Sequence, residues 1–152
     1  MKYKIQFYSS LIIFIWVLYL FLTGSSWLTL SLHDTKNVPA GTFITWLGVI
    51  AFPTSIYFGV FIRVHNGFRN ILKKILIACL ILAIFWVPVC YLLAGNISFT
   101  FSGKPEFQGG QSAMKLFWIY TYGIPATAIL TVVLDWIYQL ALYLKNSNKQ
   151  KE

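Results

Sequence analysis

Four long apolar runs, separated by short polar stretches, organise this chain of 152 residues. Residues 7–30, 42–62, 75–94 and 116–144 each hold enough apolar positions to cross about 30 Å of hydrocarbon as a helix. The fourth run is longer than a crossing needs and is predicted to tilt or project from the bilayer. The pattern therefore predicts an all-α membrane protein, with residues 1–152 forming a single domain of four transmembrane helices. A rival reading of the first run is a signal peptide, with Lys2 and Lys4 as its basic start and residues 23–26 as a cleavage region. The remaining spans keep the same orientation under either reading.

Within the runs, small residues recur at helical spacing. The second run carries Gly48, Ala51, Ser55 and Gly59, and the third Cys79, Ala83, Cys90 and Ala94. Such faces let helix backbones approach closely in lipid. The fourth run carries Gly123, Thr127, Thr131, Asp135 and Gln139, each four residues after the last. This is a small and polar seam, expected to face another helix. Pro53, Pro88 and Pro125 interrupt three of the runs and are expected to kink them; helix shape is the plain reading and a gating hinge the functional one.

Composition and charge then fix the class and orientation. Hydrophobic residues make up 58% of the chain and charged residues 11%, too little polar surface to cover a soluble globule of this size. The formal net charge of +8 raises nucleic acid as a partner, but the cations sit beside the apolar runs, as membrane topology requires. Lys2 and Lys4, then Arg63, Arg69, Lys73 and Lys74, then Lys145, Lys149 and Lys151 fall on one side; Lys36, Lys104 and Lys115 fall on the other. The positive-inside rule places both termini in the cytoplasm. Trp27, Trp46, Trp118, Tyr120 and Tyr122 mark the outer belt, and Tyr3, Tyr8, Tyr138 and Tyr143 the inner one. Trp16 and Trp86 lie deeper and are expected to pack between helices.

Asp135 is the only formal charge in the fourth run. A charge within hydrocarbon is costly, by about 2.5–3.5 kcal/mol on insertion scales, and usually marks a structural bond or a pathway. No basic residue falls inside another predicted run, so no salt bridge within one chain is expected. Two roles follow: a structural aspartate bonded to Thr131 or Gln139, each about one turn away, or a ring of Asp135 carboxylates from several copies lining a cation or proton channel.

Two loops carry further candidates. In residues 63–74, Asn66-Gly67 suggests a turn. There Phe68, Ile71, Leu72 and Ile75 form a stripe for the interface, while Arg63, Arg69, Lys73 and Lys74 face lipid phosphates or an acidic cytosolic partner. In residues 95–113, alternation and turn residues predict an outer hairpin presenting Phe99, Phe101 and Phe107 for capping, subunit contact or ligand. Asn96-Ile97-Ser98 in that loop matches a glycosylation acceptor pattern.

Enzymatic chemistry finds little footing. Cys79 and Cys90 are roughly 16 Å apart along one helix, beyond disulfide reach. His33 and His65 lie in different loops, and no metal-ligand spacing or nucleophile–base constellation occurs. A non-enzymatic protein with no cofactor and no metal is expected.

The layout of a short basic start, four spans, a basic middle loop and a lysine-rich end resembles the membrane subunit of Kiwa-type anti-phage defence. It also resembles the immunity proteins of pore-forming colicins. The first resemblance implies an oligomeric membrane sensor paired with a cytosolic DNA-binding effector; the second implies blocking of an incoming toxin within the membrane. Neither assigns a role to a residue. The function expected is an oligomeric inner-membrane subunit that senses or scaffolds for a cytosolic partner. Membrane lipids are its surroundings, and no nucleic acid is bound directly.

Overall fold

A computed structural model describes residues 2–32, 39–65, 67–94 and 111–149. Four helices carry the fold: α1 (Lys2–Leu22), α2 (Ala40–Ile56), α3 (Gly67–Ala94) and α4 (Gln111–Lys149). All four are long and apolar enough to cross a membrane, α2 by running on through a π-helical segment, Tyr57–Phe61. The chain is a multi-pass helical membrane protein. Among the described residues the only β pairing is an isolated bridge between Ser31 and Pro39. The predicted outer hairpin, with Phe99, Phe101 and Phe107, lies outside the described residues, as do His33, Asp34 and Asn96.

Helix ends differ from the predicted runs for physical reasons. Helix α1 starts at Lys2 rather than residue 7 and stops at Leu22 rather than continuing to residue 30. Gly24 adopts φ +58°, and the amides of Gly24 and Ser25 donate to the carbonyls of Phe21 and Leu20. That double closure of the last turn needs a left-handed residue, which glycine supplies without strain. A short 3₁₀ turn, Ser26–Leu28, follows. Helix α3 begins at Gly67, eight residues before the predicted run, so Arg69, Lys73 and Lys74 belong to a helix and not to a loop. Helix α4 has 39 residues, roughly 58 Å at 1.5 Å per residue, so it must tilt in or project from a bilayer, as predicted.

The helices form two antiparallel pairs with different seams. In the first, α1 packs on α2 with a constant register: Val17 meets Gly48, Phe14 meets Phe52 at 4.6 Å between ring centroids, and Phe7 meets Gly59. A Cβ on Gly48 would fall 2.6 Å from Val17 Cγ1, and one on Gly59 would fall 2.8 Å from the Phe7 ring. The small face predicted on the second span is therefore the face that receives α1, with Ala51 and Ser55 buried between the two glycines. Contact of α1 with the rest of the bundle is confined to α2, its π segment and the 3₁₀ turn.

In the second pair, Leu72, Leu76, Cys79, Ala83 and Trp86 form the buried stripe of α3, with Val87 also buried beside the last, and Ile124, Ala128, Thr131 and Asp135 form that of α4. Both follow steps of three and four residues. This heptad spacing keeps one stripe of each helix against the other, as in a left-handed coiled coil. Helix α2 lies against both α3 and α4. There the Trp46 indole donates to the Ala83 carbonyl at 2.8 Å, one residue before Ile84, whose carbonyl loses its usual donor to Pro88. Trp86 is buried as predicted, whereas Trp16 is 43% exposed and faces out of the bundle.

These registers place the start of α1, the α2–α3 connection and the end of α4 at one end of the bundle. The hydroxyls of Ser10, Thr45, Thr54, Ser55 and Thr131 all donate to carbonyls of their own helices. They are thus satisfied locally rather than used across the interfaces.

Candidate functional site

The α3–α4 seam ends in a charge clamp. Continuing the α3 heptad steps back from Leu72 by three residues reaches Arg69. Continuing the α4 steps forward from Thr131 by four reaches Asp135. Antiparallel packing brings the two to the same level. Arg69 Nε donates to Asp135 Oδ1 at 2.6 Å, and its Nη2 donates to Oδ2 at 3.1 Å. This two-pronged arrangement matches the planar fork of guanidinium to the planar carboxylate. Gln139, one turn on along α4, donates through Nε2 to Oδ2 at 2.6 Å. The Asp135 side chain is fully buried, while that of Arg69 is 31% exposed. Just beyond, the Phe68 and Tyr138 rings lie 5.2 Å apart and cover the flank toward the helix end.

The apolar runs put Arg69 in a loop and predict no salt bridge within one chain; the structure forms one. It forms because α3 extends two turns below its apolar run, carrying a cation on the same face as the core residues. The expectation that Arg69 and Lys73 face lipid phosphates is overturned with it. Lys73 Nζ donates to the carbonyls of Val64 at 3.0 Å and Ile62 at 3.4 Å, and lies 5.7 Å from the Tyr57 ring centroid. It thus satisfies orphan carbonyls where α2 ends. The interfacial stripe also splits: Leu72 is buried in the core, whereas Phe68, Ile71 and Ile75 are exposed. Arg63 and Lys74 remain exposed, as expected.

The predicted seam of α4 divides in the same way. Thr131 and Asp135 are buried. Thr131 bonds to Ala128 rather than to Asp135, and Gln139 supplies the bond instead. Gly123 has open space where a Cβ would stand, so it is not a close-approach point. With Thr127 and Cys79 it lines a groove of about 200 Å³ between α3 and α4. A strict four-residue stripe drifts around a helix, and only its members that coincide with the heptad seam, Thr131 and Asp135, are buried.

Chemically, the clamp fixes charge instead of offering it. Asp135 lies level with the first turns of α3, and α4 runs 14 residues beyond it to Lys149, about 21 Å of helix. Both carboxylate oxygens accept hydrogen bonds within the chain, Oδ1 from Arg69 and Oδ2 from Arg69 and Gln139. Asp135 is the only acid among the described residues; Asp34, Glu106 and Glu152 lie outside them. The described cations at this end with exposed side chains are Lys2, Lys4, Arg63, Lys74 and Lys145. Among the described residues no group of three or more His, Cys, Asp or Glu side chains gathers to hold a metal.

Fold and site together define a four-helix, multi-pass membrane protein that has, among the described residues, one buried ion pair and a positively charged end. No protein-family model matches the chain, and comparison with curated proteins and with solved structures finds no match.

Proposed function

We propose that this chain is a non-enzymatic, oligomeric subunit of the bacterial inner membrane that senses or scaffolds and passes its state to an acidic cytosolic partner. The observation that carries this reading is the charge arrangement at the end bearing both termini. The only described acid is buried beneath Arg69, so among the described residues that end presents cations alone. By the positive-inside rule it faces the cytoplasm. The clamp ties the first turn of α3 to α4 where α4 leaves the core, so the α4 extension moves with the α3–α4 pair. A change imposed on the bundle from the other side of the membrane is thereby delivered to the extension. The resemblance in layout to the Kiwa membrane subunit favours a role for such a relay in anti-phage defence. The channel around Asp135 and the toxin-immunity role stand behind this reading, the channel because it needs the carboxylate that Arg69 holds.

The test uses exposed cations outside the clamp. Lys74→Glu with Lys145→Glu is expected to leave the protein folded and to abolish co-purification of its cytosolic partner from detergent-solubilised membranes. Unchanged recovery sinks the output surface. Native mass spectrometry in detergent is expected to show more than one copy, and a monomer removes the oligomeric part of the reading.

A further inference from the structure

A second charged feature lies at the same end. Between the first turns of α1 and the π segment of α2 lies a pocket of about 320 Å³, bordered by Tyr3, Lys4, Tyr8, Phe58, Gly59 and Arg63. Its existence follows from local structure. Gly59 lets the Phe7 ring approach the π segment closely, which sets the floor. Tyr3 stacks near Phe58 with ring centroids 6.4 Å apart, which sets a wall. A π segment is a locally widened turn, common at functional positions, and it carries the chain outward to Arg63.

The charges at the pocket differ from those nearby. Arg69 is matched by Asp135, and Lys73 by two carbonyls. Lys4, in the first turn of α1, and Arg63, in the turn after the π segment, both line one pocket and make no side-chain hydrogen bond or ion pair among the described residues. Two cations held together without an acid repel one another unless an anion lies between them. Guanidinium and ammonium with nearby phenols form a donor set suited to phosphate oxygens. The volume is at the lower limit of ligand pockets, enough for a phosphoryl headgroup but not for a whole lipid. Exposed Tyr3 and Tyr8 put the pocket at the level where amphipathic rings meet headgroups.

We infer that Lys4 and Arg63 bind the phosphate of an anionic phospholipid headgroup in the pocket between α1 and the π segment. The site requires only that the protein lie in a bilayer; it does not depend on a cytosolic partner, and it uses neither Lys74 nor Lys145. Its occupant bridges α1 to the end of the π segment that follows α2.

The test is native mass spectrometry of the full chain in detergent with added phosphatidylglycerol or phosphatidylcholine. Parallel samples carry Lys4→Gln with Arg63→Gln, or Lys74→Gln as a control for general surface charge. Wild type is expected to retain one phosphatidylglycerol per chain in preference to phosphatidylcholine. The double variant should lose at least tenfold in that retention and the control should not. Both variants alter exposed side chains, and circular dichroism confirms that helix content is kept. Equal retention by the double variant, equal loss in the Lys74→Gln control, or no preference between the two lipids overturns the proposal. Inorganic phosphate at millimolar concentration should fail to displace the lipid; displacement would identify the occupant as a free anion and overturn the lipid assignment.

Discussion

Helix α1 meets α2 through two glycines that admit Val17 and Phe7, while α3 meets α4 through a heptad seam that ends in the Arg69–Asp135–Gln139 clamp. Both pairs are antiparallel and both are apolar along most of their length. In lipid, apolar surface alone gives little preference for one neighbour over another, so specificity rests on shape and on polar bonds. The first pair uses shape alone at its contact points. The second adds a directional bond between charges that fixes register at one end. The difference teaches where each pair is vulnerable: the first to added volume, the second to loss of one charge.

The largest effect is expected from Arg69→Ala. It leaves the fully buried Asp135 with Gln139 as its remaining hydrogen-bond partner among the described residues, and breaking a buried pair from one side costs about 3–5 kcal/mol. Because Arg69 is partly exposed, about 2–3 kcal/mol is expected in a reversible unfolding titration in mixed micelles. Asp135→Asn should cost less, because the freed Arg69 can extend its head toward the interface. A greater loss for Asp135→Asn than for Arg69→Ala would contradict that asymmetry.

Next in size is Gly48→Leu. The added side chain meets β-branched Val17, which has little rotamer freedom to yield. Overpacking of this kind costs about 1–3 kcal/mol. Loss of a cysteine cross-link introduced between α1 and α2 would report their separation, and an intact cross-link at normal yield would show that the glycine is not needed for close approach. The α3–α4 seam should be untouched by this change.

Smaller still is Trp46→Phe, which removes the indole bond to Ala83 and should cost about 0.6–1 kcal/mol. It probes the joint between the two pairs, since Trp46 lies on α2 and Ala83 on α3. A thermal-shift assay that detects no change would indicate that the joint rests on packing alone.

Much of this arrangement is legible in the sequence. The four apolar runs give the four helices, the small residues of the second run give the face that receives α1, and the burial of Thr131 and Asp135 follows from their place in the polar seam. What escapes is the clamp itself. A span inferred from hydropathy begins at its first charge-free stretch, so the basic turns at the start of α3 look like loop. A helix continues through charges when its inward face stays periodic, and Arg69, Leu72, Leu76 and Cys79 keep that period. Stepping the α3 core positions back past Leu72 is the signal that finds Arg69. The four-residue stripe on α4 misleads in the complementary way, drawing in Gly123 and Thr127 because its period departs slightly from that of the seam. Trp16 escapes for a simpler reason: depth along a span says nothing about which side faces lipid.

The central claim is that α3 and α4 are fastened by a bond between Arg69 and Asp135 within one chain. A double-mutant cycle with Arg69→Ala, Asp135→Ala and the pair, measured as unfolding free energies in mixed micelles, tests it most directly. A coupling energy above about 1.5 kcal/mol is expected, near the upper end for polar pairs in membrane bundles. Additive effects, with coupling near zero, would contradict it.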